Sequence, residues 1–149
     1  MKPAIRKGIL ALVGLLSTAA LGQQEYNGIE YLRPTAAGQK KASHPVTGSV
    51  RFDDDTKALE FLDENGVSVV TIPCEKITSL QNVTKGVGPT LVHFHDPKHF
   101  FKISYTDNKG KPNFVAVNAA KGEARNVMLA AQAASGKQIE DKDECCVWF

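Results

Sequence analysis

The sequence predicts a mainly β domain with one C-terminal helix, and three observations predict it. Over residues 47–117 apolar side chains alternate with polar ones in short stretches, the period of a strand with one covered face. Clusters of Asp, Asn, Gly and Pro separate those stretches at short intervals, as in an antiparallel meander closed into a barrel or sandwich. Only after Asn118 does the apolar period lengthen to that of a helix.

The chain opens differently. Lys2, Arg6 and Lys7 form a basic n-region, residues 8–16 an uncharged apolar run, and Ala20 and Gly22 a small-x-small site before Gln23. This is the layout of a cleavable export signal over residues 1–22. The run is too short to span a bilayer, which takes about 20 residues. The mature chain beyond the signal is the size of one domain. The whole chain holds 18 basic and 16 acidic residues. Three of the basic ones belong to the signal, so the basic character of the chain comes from its leader. Neither nucleic acid nor any other acidic partner is expected. With no second apolar span, no membrane anchor is expected after cleavage.

Residues 23–46 read as a poorly ordered lead-in, because Asn27, Gly28, Pro34, Gly38 and Lys40-Lys41 break every period. Tyr26, Ile29, Tyr31 and Leu32 are its only candidates for packing. From Thr47 onward, Val50 and Phe52 share one face of a strand, and Asp53-Asp54-Asp55-Thr56 makes a turn. Leu59 and Phe61 mark the next strand. Asn65-Gly66 then gives a hairpin signal, since both residues tolerate positive φ. Residues 67–72 are β-branched and almost wholly apolar, the look of a strand covered on both faces, and Pro73 ends or bulges it. Residues 77–83 form a fourth strand, and residues 85–89 a glycine-rich loop. Residues 90–94 are a short strand candidate before an Asp96-Pro97 turn. Phe101, Ile103 and Tyr105 share a face opposite Lys102 and Ser104, and residues 107–110 turn that strand back into residues 114–117.

In the helix, Asn118 is the expected N-cap and Glu123 lies in the early turns. Ala124, Val127, Met128 and Ala131 make the apolar stripe, and Gly136 suits the C′ position. Such a stripe needs a sheet face or barrel mouth to cover it. Residues 140–149 are an acidic tail ending in Val147, Trp148 and Phe149.

Four segments carry a family resemblance: Gly48-Ser49-Val50-Arg51-Phe52-Asp53, Leu59-Glu60-Phe61, Thr71-Ile72-Pro73-Cys74-Glu75-Lys76-Ile77-Thr78 and His99-Phe100-Phe101-Lys102-Ile103-Ser104-Tyr105. With six or seven strands before one helix, residues 47–139 resemble the pleckstrin-homology-like domains of bacterial exported proteins. The resemblance implies a PH-like barrel of two near-orthogonal antiparallel sheets, capped at an open corner by the helix. It implies no activity. A lipocalin-like barrel fits less well, since the strand count is low and the only Trp lies in the tail rather than in a Gly-x-Trp opening. Phosphoinositide-binding members of the superfold carry a basic cluster at the first hairpin. Here that turn is Asp53-Asp54-Asp55 between Arg51 and Lys57, and three carboxylates repel a polyphosphate. No phosphoinositide binding is carried over.

The best constellation for chemistry is His93, His95, Asp96 and His99. On a strand, His93 and His95 would point the same way, and a turn at Asp96-Pro97 would bring His99 round as a third metal ligand. The spacing matches no metal signature, and histidines exposed on a loop and a strand end are the plainer reading. Asp53-Asp54-Asp55 lacks the Gly, distal Glu and flanking helices of a calcium loop. Gly86-Val87-Gly88 lacks the strand-to-helix setting of a nucleotide loop. Asn82-Val83-Thr84 fits the glycosylation triplet but falls in a strand. Cys146-Val147-Trp148-Phe149 has the outline of a prenylation box that an exported chain would not use. Three cysteines allow one internal disulfide, Cys74 with Cys145 or Cys146, a link to another chain, or three reduced thiols.

The expectation is an exported, periplasmic or secreted, non-enzymatic binding or scaffold domain without a cofactor. It would meet another protein or a second copy of itself through an edge strand, the sheet–helix groove or the tail residues Val147, Trp148 and Phe149. The alternative is a small-ligand or metal carrier using His93, His95 and His99.

Overall fold

Three aspartates set the turns of the meander. Asp53 Oδ1 accepts the N–H groups of Asp55 and Thr56 at 2.9 and 3.4 Å. Asp63 Oδ1 accepts those of Asn65 and Val67, each at 2.9 Å. Asp107 Oδ1 accepts those of Lys109 and Lys111, also at 2.9 Å. In each case a short carboxylate satisfies main-chain donors that the turn removes from the sheet. The second and third turns share one design: Gly66 and Gly110 lie at φ 78° and 77°, each donating its N–H to the leading aspartate's carbonyl at 3.0 Å. Only the glycine takes positive φ. Asn65 does not, so this hairpin is a three-residue loop with Gly66 in the left-handed position rather than a two-residue Asn-Gly turn.

The computed structural model describes residues 22–36, 44–84 and 99–143. The strands are β1 (Gln23–Tyr31), β2 (Thr35–Ala36), β3 (Val46–Asp53), β4 (Ala58–Asp63), β5 (Ser68–Pro73), β6 (Ile77–Thr84), β7 (His99–Thr106), β8 (Pro112–Asn118) and β9 (Ile139–Asp143). One 3-10 turn, Cys74–Lys76, joins β5 to β6, and one α-helix, α1 (Ala124–Ser135), lies between β8 and β9. Over the described residues the fold is therefore mainly β with a single late helix, as expected. The strands pair into one open sheet in the order β5-β4-β3-β1-β8-β7-β6-β9, with β2 on β8. Every described pairing is antiparallel except β6 with β9, which is parallel.

The described part of the stretch expected to be a poorly ordered lead-in is largely sheet. β1 pairs with β3 from Gln23 opposite Asp53 to Tyr31 opposite Val46, with a register shift after Asn27. Ile29 and Tyr31 are fully buried in the main core, and Tyr31 meets the Phe61 ring edge-on at 5.1 Å. Burial of β5 on both faces also fails. β5 is an edge strand in which only Ile72 is buried, so its β-branched run suits a pleated strand without being enclosed.

One face of the sheet and the inner stripe of α1 form the core. Val50, Leu59, Phe61, Ile72, Leu80, Ile103, Val115 and Val117 meet Ala124, Val127, Met128 and Ala131 there. A smaller apolar cluster of Leu32, Val83, Phe100 and Ala116 is distinct from that core. Near it the Lys102 ammonium stands 4.6 Å from the centre of the Phe114 ring, a cation–π contact.

The helix starts later than the sequence suggests. Asn118 ends β8 instead of capping α1: it is 1 % exposed, its Oδ1 accepts the Ala120 N–H at 3.0 Å, and its amide donates to Glu30 Oε1 at 3.1 Å. Glu123 holds the N-cap position. Gly136 closes the helix in the left-handed region at φ 75°, as expected, its N–H donating to the Gln132 carbonyl. Ile139–Asp143, expected largely as the start of a charged tail, instead adds β9 beside β6.

Candidate functional site

Three cross-strand rows lead from the core to an open groove under α1. Leu80 on β6 stands between Ile103 on β7 and Ile139 on β9; Leu80 and Ile103 are buried in the core, and Ile139 packs against it. Two residues further on, Asn82 stands between Phe101 and Asp141. Two further again, Thr84 stands between His99 and Asp143. Residues spaced by two share a face, so this face passes from apolar to mixed to polar along its length. The change follows the sequence: β7 reads His99, Phe101, Ile103, Tyr105 on one side, and β9 reads Ile139, Asp141.

Helix α1 forms the opposite wall. Arg125, Met128, Leu129 and Gln132 face a groove of about 420 Å³, together with Asn82, His99, Phe101, Ala119, Ile139 and Asp141. Met128 is fully buried, whereas Leu129 is 46 % exposed. The apolar floor is thus Phe101, Met128 and Ile139, Leu129 is an uncovered apolar shoulder, and the rim is polar. The Asn82 amide donates to Asp141 Oδ1 at 3.2 Å, which ties β9 to β6 on the groove side. Among the described residues neither Arg125 nor His99 has a carboxylate partner. An apolar floor with a few polar groups at the margin, at this volume, is the make-up of a recognition groove.

The edge strands are less inviting. Cys74 N–H donates to the Lys57 carbonyl at 2.8 Å. By antiparallel alternation Ile72 also turns its main chain toward β4, while Thr71 and Pro73 turn outward. Pro73 has no N–H to offer there, and the register shifts where β5 meets Phe61 and Leu62. A proline and a bulge both discourage further pairing. The other edge, β9, carries Glu140, Asp141, Lys142 and Asp143, and charge serves the same end.

Of the metal candidates, His99 is exposed at the first position of β7, on the groove rim; His93, His95 and Asp96 lie outside the described residues. Among the described residues no three His, Cys, Asp or Glu side chains are grouped to hold a metal ion. Cys74 is a buried free thiol, and burial pushes it from 9.0 to about 11, with Lys57 pulling weakly the other way. Its proposed partners Cys145 and Cys146 lie outside the described residues, as do Val147, Trp148 and Phe149, most of the segment expected to be an export signal, and the strand and turn expected over residues 90–97. No described helix is long and apolar enough to cross a membrane.

The sheet–helix groove is expected from the sequence, but its residues are not. Leu129 is the available signal, an apolar side chain on the helix outside the stripe Ala124, Val127, Met128 and Ala131. Arg125 and Gln132 lie four before and three after Leu129, along the same side of α1. No protein-family model matches the chain. No curated protein matches it either.

Proposed function

We propose that this chain is an exported, non-enzymatic binding domain of pleckstrin-homology-like architecture, which takes an apolar segment of another protein into the groove between α1 and strands β6, β7 and β9. The observation that carries this reading is Leu129, left 46 % exposed beside buried Met128 at the shoulder of a groove floored by Phe101 and Ile139. A monomer gains by covering such a side chain, and a partner's apolar anchor placed there would do so. The blunted edges at Pro73 and β9 favour the groove over strand addition.

The PH-like reading draws support from the path β5-β4-β3-β1-β8-β7-β6, antiparallel throughout, with α1 following β8 and packing on one face. The export reading draws support from the layout of residues 1–22 and from where β1 begins. Its first residue is Gln23, the residue immediately after the Ala20-x-Gly22 site, so cleavage there would leave the strand whole. Intact mass of the exported protein should place Gln23 first.

The test of binding is a selection from a displayed random-peptide library against the folded chain. Peptides with one or two large apolar anchors are expected, and Leu129→Lys should abolish their binding. Val67→Lys is the control, because Val67 is also exposed, at 59 %, but sits in the β4–β5 turn. Peptides that bind Leu129→Lys as well as the original chain would place recognition elsewhere.

A further inference from the structure

Helix α1 brings a cation to the groove along with its apolar side chains. Arg125 lies four residues before Leu129 on the same side of the helix, and both line the groove. Arg125 is exposed, and among the described residues its guanidinium has no ion-pair or hydrogen-bond partner. It also stands in the first turn of α1, where the helix dipole disfavours a positive charge. Neither a salt bridge nor the dipole therefore accounts for a cation at this position. Asp141, the carboxylate on the strand side of the groove, is already met by the Asn82 amide at 3.2 Å. The unmet charge of the rim is thus positive and lies on the helix side.

We infer that Arg125 selects the partner: the protein segment that enters the groove carries an Asp or Glu carboxylate beside its apolar anchor. This rests on reading the groove as a receptor for an apolar segment, and it adds the charge that the segment must bear. A guanidinium and a carboxylate pair through two parallel N–H···O bonds, while the anchor covers Leu129. Asp141 repels an acid placed on the strand side, so the two walls together fix which way round the segment lies.

The helix also sets a spacing. Arg125 and Leu129 are about 6 Å apart along α1, four residues at about 1.5 Å each. An extended segment advances about 3.3 Å per residue and turns every second side chain to one face. An acid two residues from the anchor would therefore meet Arg125 while the anchor meets Leu129. On a helical segment the same match needs a separation of four.

The test is the peptide selection run twice, against the original chain and against Arg125→Glu. A glutamate suits the first turn of a helix, so the variant should fold, and far-ultraviolet circular dichroism checks that it does. Peptides taken by the original chain should carry Asp or Glu two or four residues from a large apolar residue. Replacing that acid by its amide should weaken binding about fivefold, the upper range for an exposed ion pair, and high salt should shrink the difference. Peptides taken by Arg125→Glu should keep the apolar anchor and carry Lys or Arg in place of the acid. Peptides that bind through Leu129 with no preferred acid would overturn the inference and leave the groove a receptor. An acid preference that Arg125→Glu leaves unchanged would overturn it too. Laurate that binds the original chain more tightly than any selected peptide, and Arg125→Glu not at all, would give the groove to a lipid carboxylate and overturn the assignment to a protein segment. If no peptide binds, or if binding survives Leu129→Lys, both readings fail.

Discussion

Asn27 and Glu123 bind each other twice. The Glu123 carboxylate accepts the Asn27 N–H at 2.8 Å, and the Glu123 N–H donates to the Asn27 carbonyl at 3.2 Å. The pair fastens the bulge of β1 to the start of α1 across a sequence separation of 96. Beside this double contact, Gly28 and Gly122 meet back to back at φ 69° and 50°. A Cβ on Gly122 would lie 2.2 Å from the Gly28 carbonyl oxygen. The helix that walls the groove is thus positioned by main-chain contact with the first strand.

Gly122→Ala is therefore expected to be among the costlier single substitutions. The left-handed backbone alone costs an L-residue about 1–2 kcal/mol, and the clash with Gly28 adds to it. Gly136→Ala is the comparison: its φ is 75°, but no atom lies within 4 Å of the added carbon, so only the backbone cost applies. Chemical denaturation of both variants checks this. Equal midpoints would mean that β1 and α1 do not meet at Gly122.

Met128 and Leu129 are neighbours with opposite expectations. Met128→Ala empties a fully buried position and should cost about 2–5 kcal/mol. Leu129→Ala, at an exposed position, should change stability by no more than about 0.5 kcal/mol. Urea midpoints decide it, and a large loss at Leu129 would show that the groove is already filled by something the chain depends on.

Tyr31 should behave as a buried ring whose hydroxyl contributes nothing. That oxygen has no hydrogen-bond partner among the described residues, and a buried unpaired polar group costs about 1–3 kcal/mol. Tyr31→Phe should therefore keep or raise stability at pH 7. Its effect on alkaline denaturation is more specific. Burial pushes the phenol from 10.0 to about 12, with Arg33 lowering it and Asp63 raising it. Because the folded value is the higher one, the stabilising difference is complete below pH 10 and lost as the pH rises from 10 to about 12. Cys74, moved from 9.0 to about 11 by burial, begins the same fall near pH 9. Tyr31→Phe should flatten the upper part of that limb and leave the part near pH 9 in place. An unchanged limb would show that Tyr31 ionises without unfolding the chain.

Cys74 should resist alkylation in the native state. It is 1 % exposed, and its raised pKa leaves little thiolate at pH 8. Peptide mapping after iodoacetamide should find it labelled only when denaturant is present. Fast labelling of the folded protein would refute its burial. A non-reduced map that finds Cys74 joined to Cys145 or Cys146 would instead establish the disulfide.

How much was legible depended on where each element gets its stability. The hairpins were readable because their turns are local: Asp63, Asn65 and Gly66 are neighbours in sequence as well as in space. The stripe of α1 and its Gly136 cap were readable for the same reason. β1 was not, because five of its nine residues are exposed and it is held by main-chain ladders to β3 and β8 instead of an apolar period. β9 is a parallel edge strand made mostly of charged residues, and no local pattern announces such a partner. Asn118 looked like a helix cap because its side chain does bond to the main chain two residues on, but it closes a turn. The groove joins β6, β7, α1 and β9, and its members become neighbours only through registers such as Asn82 with Phe101 and Asp141.

The sheet order also dictates a schedule of synthesis. β1, β3, β4 and β5 pair among themselves and can assemble as they emerge, but the outer side of β1 waits for β8, where Tyr31 meets Val117. Until residue 117 has been made, the half-sheet carries Ile29, Tyr31, Val50, Leu59 and Phe61 with neither the second half nor α1 to cover them. A chain interrupted in the 85–98 connection would have that whole apolar face in water, a substrate for chaperones and proteases. Early truncations should therefore be cleared by the cell or aggregate.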